Sequence, residues 1–295
     1  MKRFILGIIF ITSAIWADVV TLSPYMGMID YSKDSSKSIK DSATVVGSSF
    51  SIGNLGYLFM VDYSHFDAKY KDSNTTTPNI KQDDLTLAYG RYYDDFMFKV
   101  GYHYISTTDE QLGDANIFIA SLGKYKWFGY DKLSYGLEGY YSYYNKGHDE
   151  NYLVQKSVNV IQFTPYITFY KAFNLNLGNA LTLKANYQIT SDYLKKSYTS
   201  FEISDTIYYN SLFVTLKVYD GEMKTGIKDG GMVVFNTLDL MKTGYEAQVG
   251  YFINNKTSAA LSYENNKYRE YDQSAALITA DAVNSIVVFS LSCSF

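Results

Sequence analysis

The chain has 295 residues with 26 basic and 30 acidic side chains, a formal net charge of −4 and a mean hydropathy of −0.16. The acidic balance argues against a nucleic-acid partner, which needs a basic face. The single cysteine, Cys293, cannot form an internal disulfide. A helical membrane protein is excluded, because a membrane-spanning helix needs about 20 consecutive apolar residues and the chain after its first 17 residues has no such run.

The first 17 residues have the order of a secretory signal peptide. Lys2 and Arg3 precede an apolar run over residues 4–11, and small residues lead to a predicted cleavage site after Ala17. An uncleaved membrane anchor is the alternative, but the run is short for the about 20 residues that cross a bilayer. We therefore predict removal of residues 1–17 and a single domain over residues 18–295. Loss of Lys2 and Arg3 leaves 24 basic against 30 acidic residues, a charge of −6.

The rest of the chain alternates apolar and polar residues with the period of two that is typical of β-strands. The segment near residues 95–106 places on one face Phe96, Phe98, Val100, Tyr102 and Tyr104, and on the other Lys99, Gly101 and His103. The segment near 179–191 places on one face Leu181, Leu183, Ala185, Tyr187 and Ile189, and on the other Thr182, Lys184, Asn186, Gln188 and Thr190. Segments near 130–144 and 244–254 repeat the pattern. An all-β protein is predicted.

Short connections alternate with long polar ones, which predicts an antiparallel up-and-down order of about fourteen strands, with twelve as the alternative. The short connections are 53–56, 94–95, 129–132, 219–222 and 254–257; the long ones are 32–41, 69–81, 107–114, 146–153, 192–200 and 266–281. Two places fit poorly. Pro165 interrupts a good strand, so we expect a bulge or an early strand end there. One strand is placed within residues 222–236 chiefly because both termini should end on the same side.

The composition decides between two all-β architectures. The chain has 31 tyrosines, 18 phenylalanines and only three prolines. A soluble secreted β-sandwich or solenoid explains the alternation but neither the tyrosine excess nor the apolar face that continues to Phe295. Alternation of lipid-facing and water-facing residues explains both. A sheet in lipid must close, because unpaired backbone groups in hydrocarbon cost several kcal/mol each. The prediction is a transmembrane antiparallel β-barrel.

The final segment, residues 285–295, supports this interpretation most directly, with Val287, Phe289, Leu291 and Cys293 alternating with polar serines before Phe295. With the signal segment and the tyrosine content, it makes the chain resemble Gram-negative outer-membrane β-barrel proteins, similar in size to small monomeric general porins with fourteen strands. The resemblance implies an outer-membrane location, contact with outer-membrane lipid, and recognition of Phe289, Leu291 and Phe295 by the barrel assembly machinery.

No pattern for catalysis, a cofactor or a metal is found. The three histidines, His65, His103 and His148, lack a recognisable nucleophile motif, and the run His148-Asp149-Glu150 lacks the ligand spacing of a metal site. The leading hypothesis is a channel for ions and small polar solutes. Its predicted pore-lining residues are mid-strand charges on the polar faces: Asp62, Asp84, Lys99, Glu138, Lys184, Lys217 and Glu246. The alternative is a non-conducting barrel whose extracellular loops carry a surface-interaction or envelope-structural role.

Overall fold

The alternating segments form a closed antiparallel β-barrel in the computed structural model. It describes residues 19–31, 40–71, 79–109, 112–147, 157–191, 196–234, 239–271 and 277–295, with the side chains of 271–280 excepted. Within these residues, fourteen strands close the barrel and two short strands form a separate hairpin. The barrel strands are β1 (Val19–Asp30), β2 (Lys40–Gly53), β3 (Tyr57–Tyr70), β4 (Ile80–Tyr93), β5 (Phe96–Thr107), β6 (Ala115–Phe128), β7 (Asp131–Tyr144), β8 (Val158–Ala172), β9 (Leu177–Thr190), β10 (Ser197–Tyr209), β11 (Leu212–Lys224), β14 (Leu240–Asn254), β15 (Thr257–Tyr271) and β16 (Leu277–Ser294).

Each barrel strand pairs with its neighbours in chain order, and β1 pairs with β16 to complete the circle. At this closure Met26 lies opposite Phe289 and Met28 opposite Val287. The backbone N–H of Phe295 donates to the carbonyl of Val20 at 2.8 Å. The closure removes the free sheet edges that an isolated membrane sheet would expose.

The two faces of the wall have opposite chemistry. In β9, Leu183 and Tyr187 point outward and are 43% and 45% exposed, whereas Asn186 and Gln188 point inward and are buried. The same alternation runs round the barrel, so the outside is an apolar band and the inside carries most polar groups. Monomeric soluble proteins rarely expose an apolar surface of this extent. Among the described residues, none forms a helix that is long and apolar enough to cross a membrane.

The connections have two lengths. At one end of the barrel the strands are joined by two to four residues, with turns at 54–56, 94–95, 129–130, 173–176, 210–211 and 255–256. We call this the short-turn end. At the other, long-loop end the connections are longer, and much of the predicted long loops lies outside the described residues.

The strand predicted within residues 222–236 is wrong, although the total of fourteen is confirmed. Asp220 and Gly221 do not form a tight turn but lie inside β11, where the register with β14 shifts by a bulge between Asp220 and Met223. The positive φ of Gly221, +109°, serves this bulge. The hairpin turn lies earlier, at Asn210, whose φ of +53° suits a tight turn.

The proline in β8 causes less disturbance than the sequence suggests. Pro165 remains paired with Leu137 of β7, and β8 continues to Ala172. On the β9 side the ladder omits Thr164 and Pro165 and resumes in unchanged register at Tyr166. The expected bulge or strand end is therefore absent from this described strand. The side-chain hydroxyl of Thr164 instead donates to Asn186 at 2.7 Å, which bridges the two strands across the gap.

Candidate functional site

The connection between β11 and β14 folds into the barrel instead of covering its rim. Residues 225–234, which we call the inward segment, contain β12 (Ile227–Lys228), a single 3-10 turn (Asp229–Gly231) and β13 (Val233–Val234). Gln162 of β8 binds both backbone groups of Ile227, at 3.0 Å to its N–H and 2.7 Å to its carbonyl. From β5, Lys99 donates its Nζ to the Gly230 carbonyl at 2.8 Å. The segment therefore reaches from one wall of the lumen to another.

A run of unusual backbone angles makes the tip of the inward segment. Asp229, Gly230 and Gly231 have φ values of +49°, +67° and +97°. This region favours glycine, because a Cβ there meets the backbone. A Cβ on Gly231 would also collide with the side chain of Ile119 in β6. The Asp-Gly-Gly sequence thus permits both the tight turn and the close approach to the wall.

An apolar core anchors the base of the segment on the β5–β8 side of the lumen. Ile227 is 2% exposed and packs with buried residues of the wall, and Val234 lies against the same cluster. The wall residues of this cluster are Ile105, Leu112, Ala115, Ile117, Ile119, Tyr140, Tyr144, Val158, Val160, Tyr198 and Leu240. The inward segment and these buried residues therefore fill one side of the long-loop half of the barrel. A second buried apolar cluster, which includes Tyr31, Met241 and Tyr268, lies on the other side of the same half.

Charged side chains surround the tip of the inward segment at mid-depth. We call them the charged belt: Lys99, Glu138, Lys184, Glu202, Lys217, Asp229 and Glu246. Lys217 lies between Asp229 at 3.3 Å and Glu246 at 3.0 Å, and Lys184 lies 3.3 Å from Glu202. The wall residues of both pairs are direct register partners on adjacent strands. The pairs Lys184–Glu202 and Lys217–Glu246 therefore follow from strand register, whereas Asp229 is supplied by the inward segment.

Asp229 joins the inward segment to the belt electrostatically. Enclosure in the barrel acts to raise the pKa of its carboxyl group, but Lys217, Lys184 and Lys228 outweigh this and hold the pKa below its usual value. The carboxylate consequently stays charged at neutral pH. Lys228 in turn lies 3.9 Å from Glu264 of β15 and 3.5 Å from the Tyr219 ring centroid. Opposite charges thus hold the segment on the β11–β15 side of the lumen.

The inward segment leaves open space on both sides. A cavity of about 410 Å³, here the upper cavity, lies towards the long-loop end between the segment and the wall of β1–β5 and β14–β16. Two smaller cavities of about 270 and 310 Å³ lie below it, and both are lined by Glu138 and Asp229. Met232 lines the upper cavity and the first of the lower ones. The segment is therefore the partition between the two halves of the lumen.

The architecture is similar to that of solved outer-membrane proteins, although no family model and no curated protein matches the sequence. A bacterial polysaccharide outer membrane secretin matches with a TM-score of 0.54 at 8% identity, over 94% of this chain and 98% of that one. The toluene transporter TbuX of Ralstonia pickettii matches with a TM-score of 0.53 at 9% identity, over 94% and 89%. The CymD monoaromatic hydrocarbon channel matches with a TM-score of 0.51 at 8% identity, over 95% and 89%. The chain has the fold of an outer-membrane β-barrel.

In this outer-membrane barrel fold, all seven predicted pore-lining residues point inward, but they divide into two groups. Lys99, Glu138, Lys184, Lys217 and Glu246 belong to the charged belt. Asp62 and Asp84 lie apart from it, on the wall of the upper cavity. Their role in lining a solute path stays a prediction.

Sequence reasoning missed two members of the belt. Glu202 follows the same alternation as its neighbours Phe201 and Ile203, which point outward, so its inward position was readable from the pattern. Asp229 was not readable in this way, because it belongs to a connection and not to a barrel strand. The Asp-Gly-Gly turn signal indicated a reversal of the chain there but not its position inside the barrel.

The remaining sequence-based predictions concern barrel assembly, export and metal binding. Phe289 and Leu291 lie in the closing strand β16, with Phe295 directly after it; their recognition by the assembly machinery stays a prediction. The signal peptide and His148 lie outside the described residues. In the described part of the chain, no group of three His, Cys, Asp or Glu side chains could hold a metal ion.

One buried cluster has the connectivity of a catalytic triad. The hydroxyl of Thr86 lies 2.6 Å from Nδ1 of His103, and Nε2 of His103 lies 3.3 Å from Asp84. A nucleophile must reach its substrate, however, and Thr86 is only 1% exposed and does not line the upper cavity. The cluster therefore serves to orient the imidazole and Asp84 in the wall.

Proposed function

We propose that this protein is an outer-membrane channel through which ions and small polar solutes pass along the barrel lumen. The observation that carries the proposal is the charged belt, whose residues line the two lower cavities, together with the upper cavity on the other side of the inward segment. Burying charged side chains costs free energy, so charges inside a barrel call for a function. In pores, rings of charged side chains select and conduct ions. The belt also surrounds the tip of the inward segment, which occupies part of the lumen.

The location follows from the same reasoning. The apolar outer band suits hydrocarbon, and aromatic side chains such as Trp127, Phe128 and Tyr130 lie exposed at the short-turn end, the position of an interfacial girdle. We infer export by the predicted signal peptide and insertion with the short turns in the periplasm.

The cargo has to be argued from this lumen. The three similar barrels differ in the cargo that their descriptions name: a polysaccharide, toluene and monoaromatic hydrocarbons. A shared fold does not transfer a substrate. Here the belt has four carboxylates and three lysines, so it favours small charged or polar solutes with a weak preference for cations.

Single-channel recording tests the proposal. Purified, refolded protein is added to a planar lipid bilayer, and stepwise current increases of uniform size are expected. Heat-denatured protein is the matched control. A correctly folded protein that inserts into the bilayer and stays silent would contradict the channel function and favour the alternative, a closed barrel that acts through its loops.

Removing single charges from the belt should shift ion selectivity in opposite directions. In a salt gradient, Lys217→Gln should move the reversal potential towards the cation equilibrium potential, because it leaves Asp229 and Glu246 without their lysine. Asp229→Asn should move it towards the anion equilibrium potential. Lys124→Gln, which removes an exposed charge paired with Asp95 at the short-turn end, is the control. Equal reversal potentials in the wild type and both belt variants would show that the belt is not in the ion path.

A further inference from the structure

Two carboxylates, Asp62 and Asp84, line the upper cavity and lie apart from the charged belt. Asp62 of β3 is 6% exposed, and Asp84 of β4 has a side chain that is 14% exposed. Ser64 is the register partner of Asp84 and lies two residues after Asp62 on the same face. The two aspartates are therefore diagonal neighbours, with Cα atoms about 7–8 Å apart. Carboxylates that share a site repel each other.

Their partners in the described residues are almost all neutral. Tyr25 donates to Asp62 at 3.0 Å, and Gln82 donates to both oxygens of Asp84 at 2.9 and 3.0 Å. In the described chain, no lysine or arginine pairs with either aspartate; the single basic partner is His103, 3.3 Å from Asp84. One imidazole carries at most one positive charge, so the described partners cannot compensate both carboxylates.

The other acidic side chains that line this cavity lie near lysines of opposite charge. Asp239 and Glu264 also line it, and each has a lysine: Lys40 binds Asp239, and Lys228 lies 3.9 Å from Glu264. No lysine or arginine is itself among the described lining residues. The field in the cavity is therefore negative, and its source is the pair Asp62 and Asp84.

Much of the remaining wall is apolar, and one acceptor among the described lining residues has no hydrogen-bond partner. Apolar side chains of the wall and of the inward segment face the space, among them Val45, Phe66, Val234, Met241, Ile286 and Val288. On the same wall lies Asn284, which is 9% exposed and whose buried Oδ1 has no hydrogen-bond partner. A buried acceptor without a donor is destabilising. A ligand that carries N–H donors would satisfy it.

We propose that the upper cavity binds an amphipathic organic cation, with its ammonium group at Asp62 and Asp84 and its hydrocarbon or aromatic body against the apolar wall. The volume of about 410 Å³ lies in the range of small-molecule sites. An ammonium relieves the repulsion between the two carboxylates, and the ring of Phe66 adds a face for the body of the ligand. The inference deepens the proposed function, since it names a class of solute that the channel holds on its path.

Binding is measured without recording current, so that a failure to bind and a failure to conduct are read separately. Wild-type protein in nanodiscs is titrated by calorimetry with phenylpropylammonium, phenylpropanol and phenylpropionate, with empty nanodiscs as the blank. The cation should bind about tenfold or more tightly than the alcohol, as expected for hydrogen bonds to a charged group. The anion should bind least. Equal affinities for cation and alcohol would overturn the proposal without any variant.

The consecutive residues Asp83 and Asp84 of β4 point to opposite faces of the wall and provide the matched variants. Asp84→Asn and the double variant Asp62→Asn/Asp84→Asn should lose most of the preference for the cation and keep the affinity for the alcohol. Asp83→Asn is the control, because Asp83 points outward, where it accepts from Tyr63 at 2.7 Å and lies 2.9 Å from His65. Folding is checked for each variant by circular dichroism. Unchanged cation affinity in the folded double variant would contradict the site, whatever the channel conducts.

Discussion

Leu183→Arg lowers the free energy of unfolding by about 2–4 kcal/mol, the cost of an arginine on the lipid face of a membrane barrel near the bilayer midplane. Leu183 points outward in the middle of β9 and is 43% exposed. Its register partners Ile203 and Ile167 also point outward, so the new guanidinium would lie within an apolar surface. Urea unfolding of the protein in lipid vesicles, followed by tryptophan fluorescence, measures the loss.

Thr182→Arg is the matched control, one residue earlier and on the opposite face. Thr182 lines a lower cavity and shares a hydrogen bond of 2.9 Å with Thr168. Its replacement should cost far less stability, because the guanidinium reaches water in the lumen, and it should change the current. Equal losses of stability at positions 182 and 183 would mean that the two faces meet the same solvent, and the membrane-barrel interpretation would fail.

The expected difference between positions 182 and 183 depends on the face of the strand that each residue occupies, which is the feature that the sequence predicts best. A strand has a period of two, so a single apolar residue fixes the face of every other residue in its strand. Leu183 and Lys184 were assigned to their faces in this way, and the structure confirms both assignments. Most of the strands follow from the same alternation, because each run of about ten residues is long enough to cross a bilayer. The total of fourteen also required both termini to end on the same side.

The connections were harder to predict because one short signal has several structural uses. Asp220-Gly221 has the composition of a hairpin turn, yet it forms a bulge inside β11, while Asn210 makes the turn. Which of the two reverses the chain depends on where the partner strand begins, and this is a long-range property. The same limitation hid the inward segment. Its path depends on Gln162, 65 residues from Ile227 in the sequence, and on Lys99, 131 residues from Gly230.

The compartment of the lumen that a residue lines could not be predicted from the sequence either. Asp62 and Asp84 were predicted to lie on the inner face, but they could not be separated from the five belt residues by sequence alone. The separation arises because the inward segment partitions the lumen, with Met232 on both sides of the partition. A linear pattern gives the face of a residue and not the compartment that the face encloses.

Replacing residues 225–239 by Asn-Gly should raise the single-channel conductance several-fold. Lys224 and Leu240 are register partners at the ends of β11 and β14, so a two-residue turn can join them without changing the barrel ladders. The deletion removes Asp229 and the partition above the lower cavities, which widens the narrowest part of the path. Loss of the buried Ile227 side chain alone should cost about 1.5–3 kcal/mol, and the deletion also removes Asp239 and Lys228, which are partners of Lys40 and Glu264.

Asp229→Asn distinguishes the bulk of the segment from its charge. This variant keeps the chain inside the lumen, where Lys99 still binds the Gly230 carbonyl and Gln162 still binds Ile227. Its conductance should stay near that of the wild type while its selectivity shifts. If the deletion variant conducted no more than Asp229→Asn, the segment would not be the constriction, and the resistance to ion flow would have to lie in the wall charges themselves. A large increase in the deletion variant alone assigns that resistance to the partition.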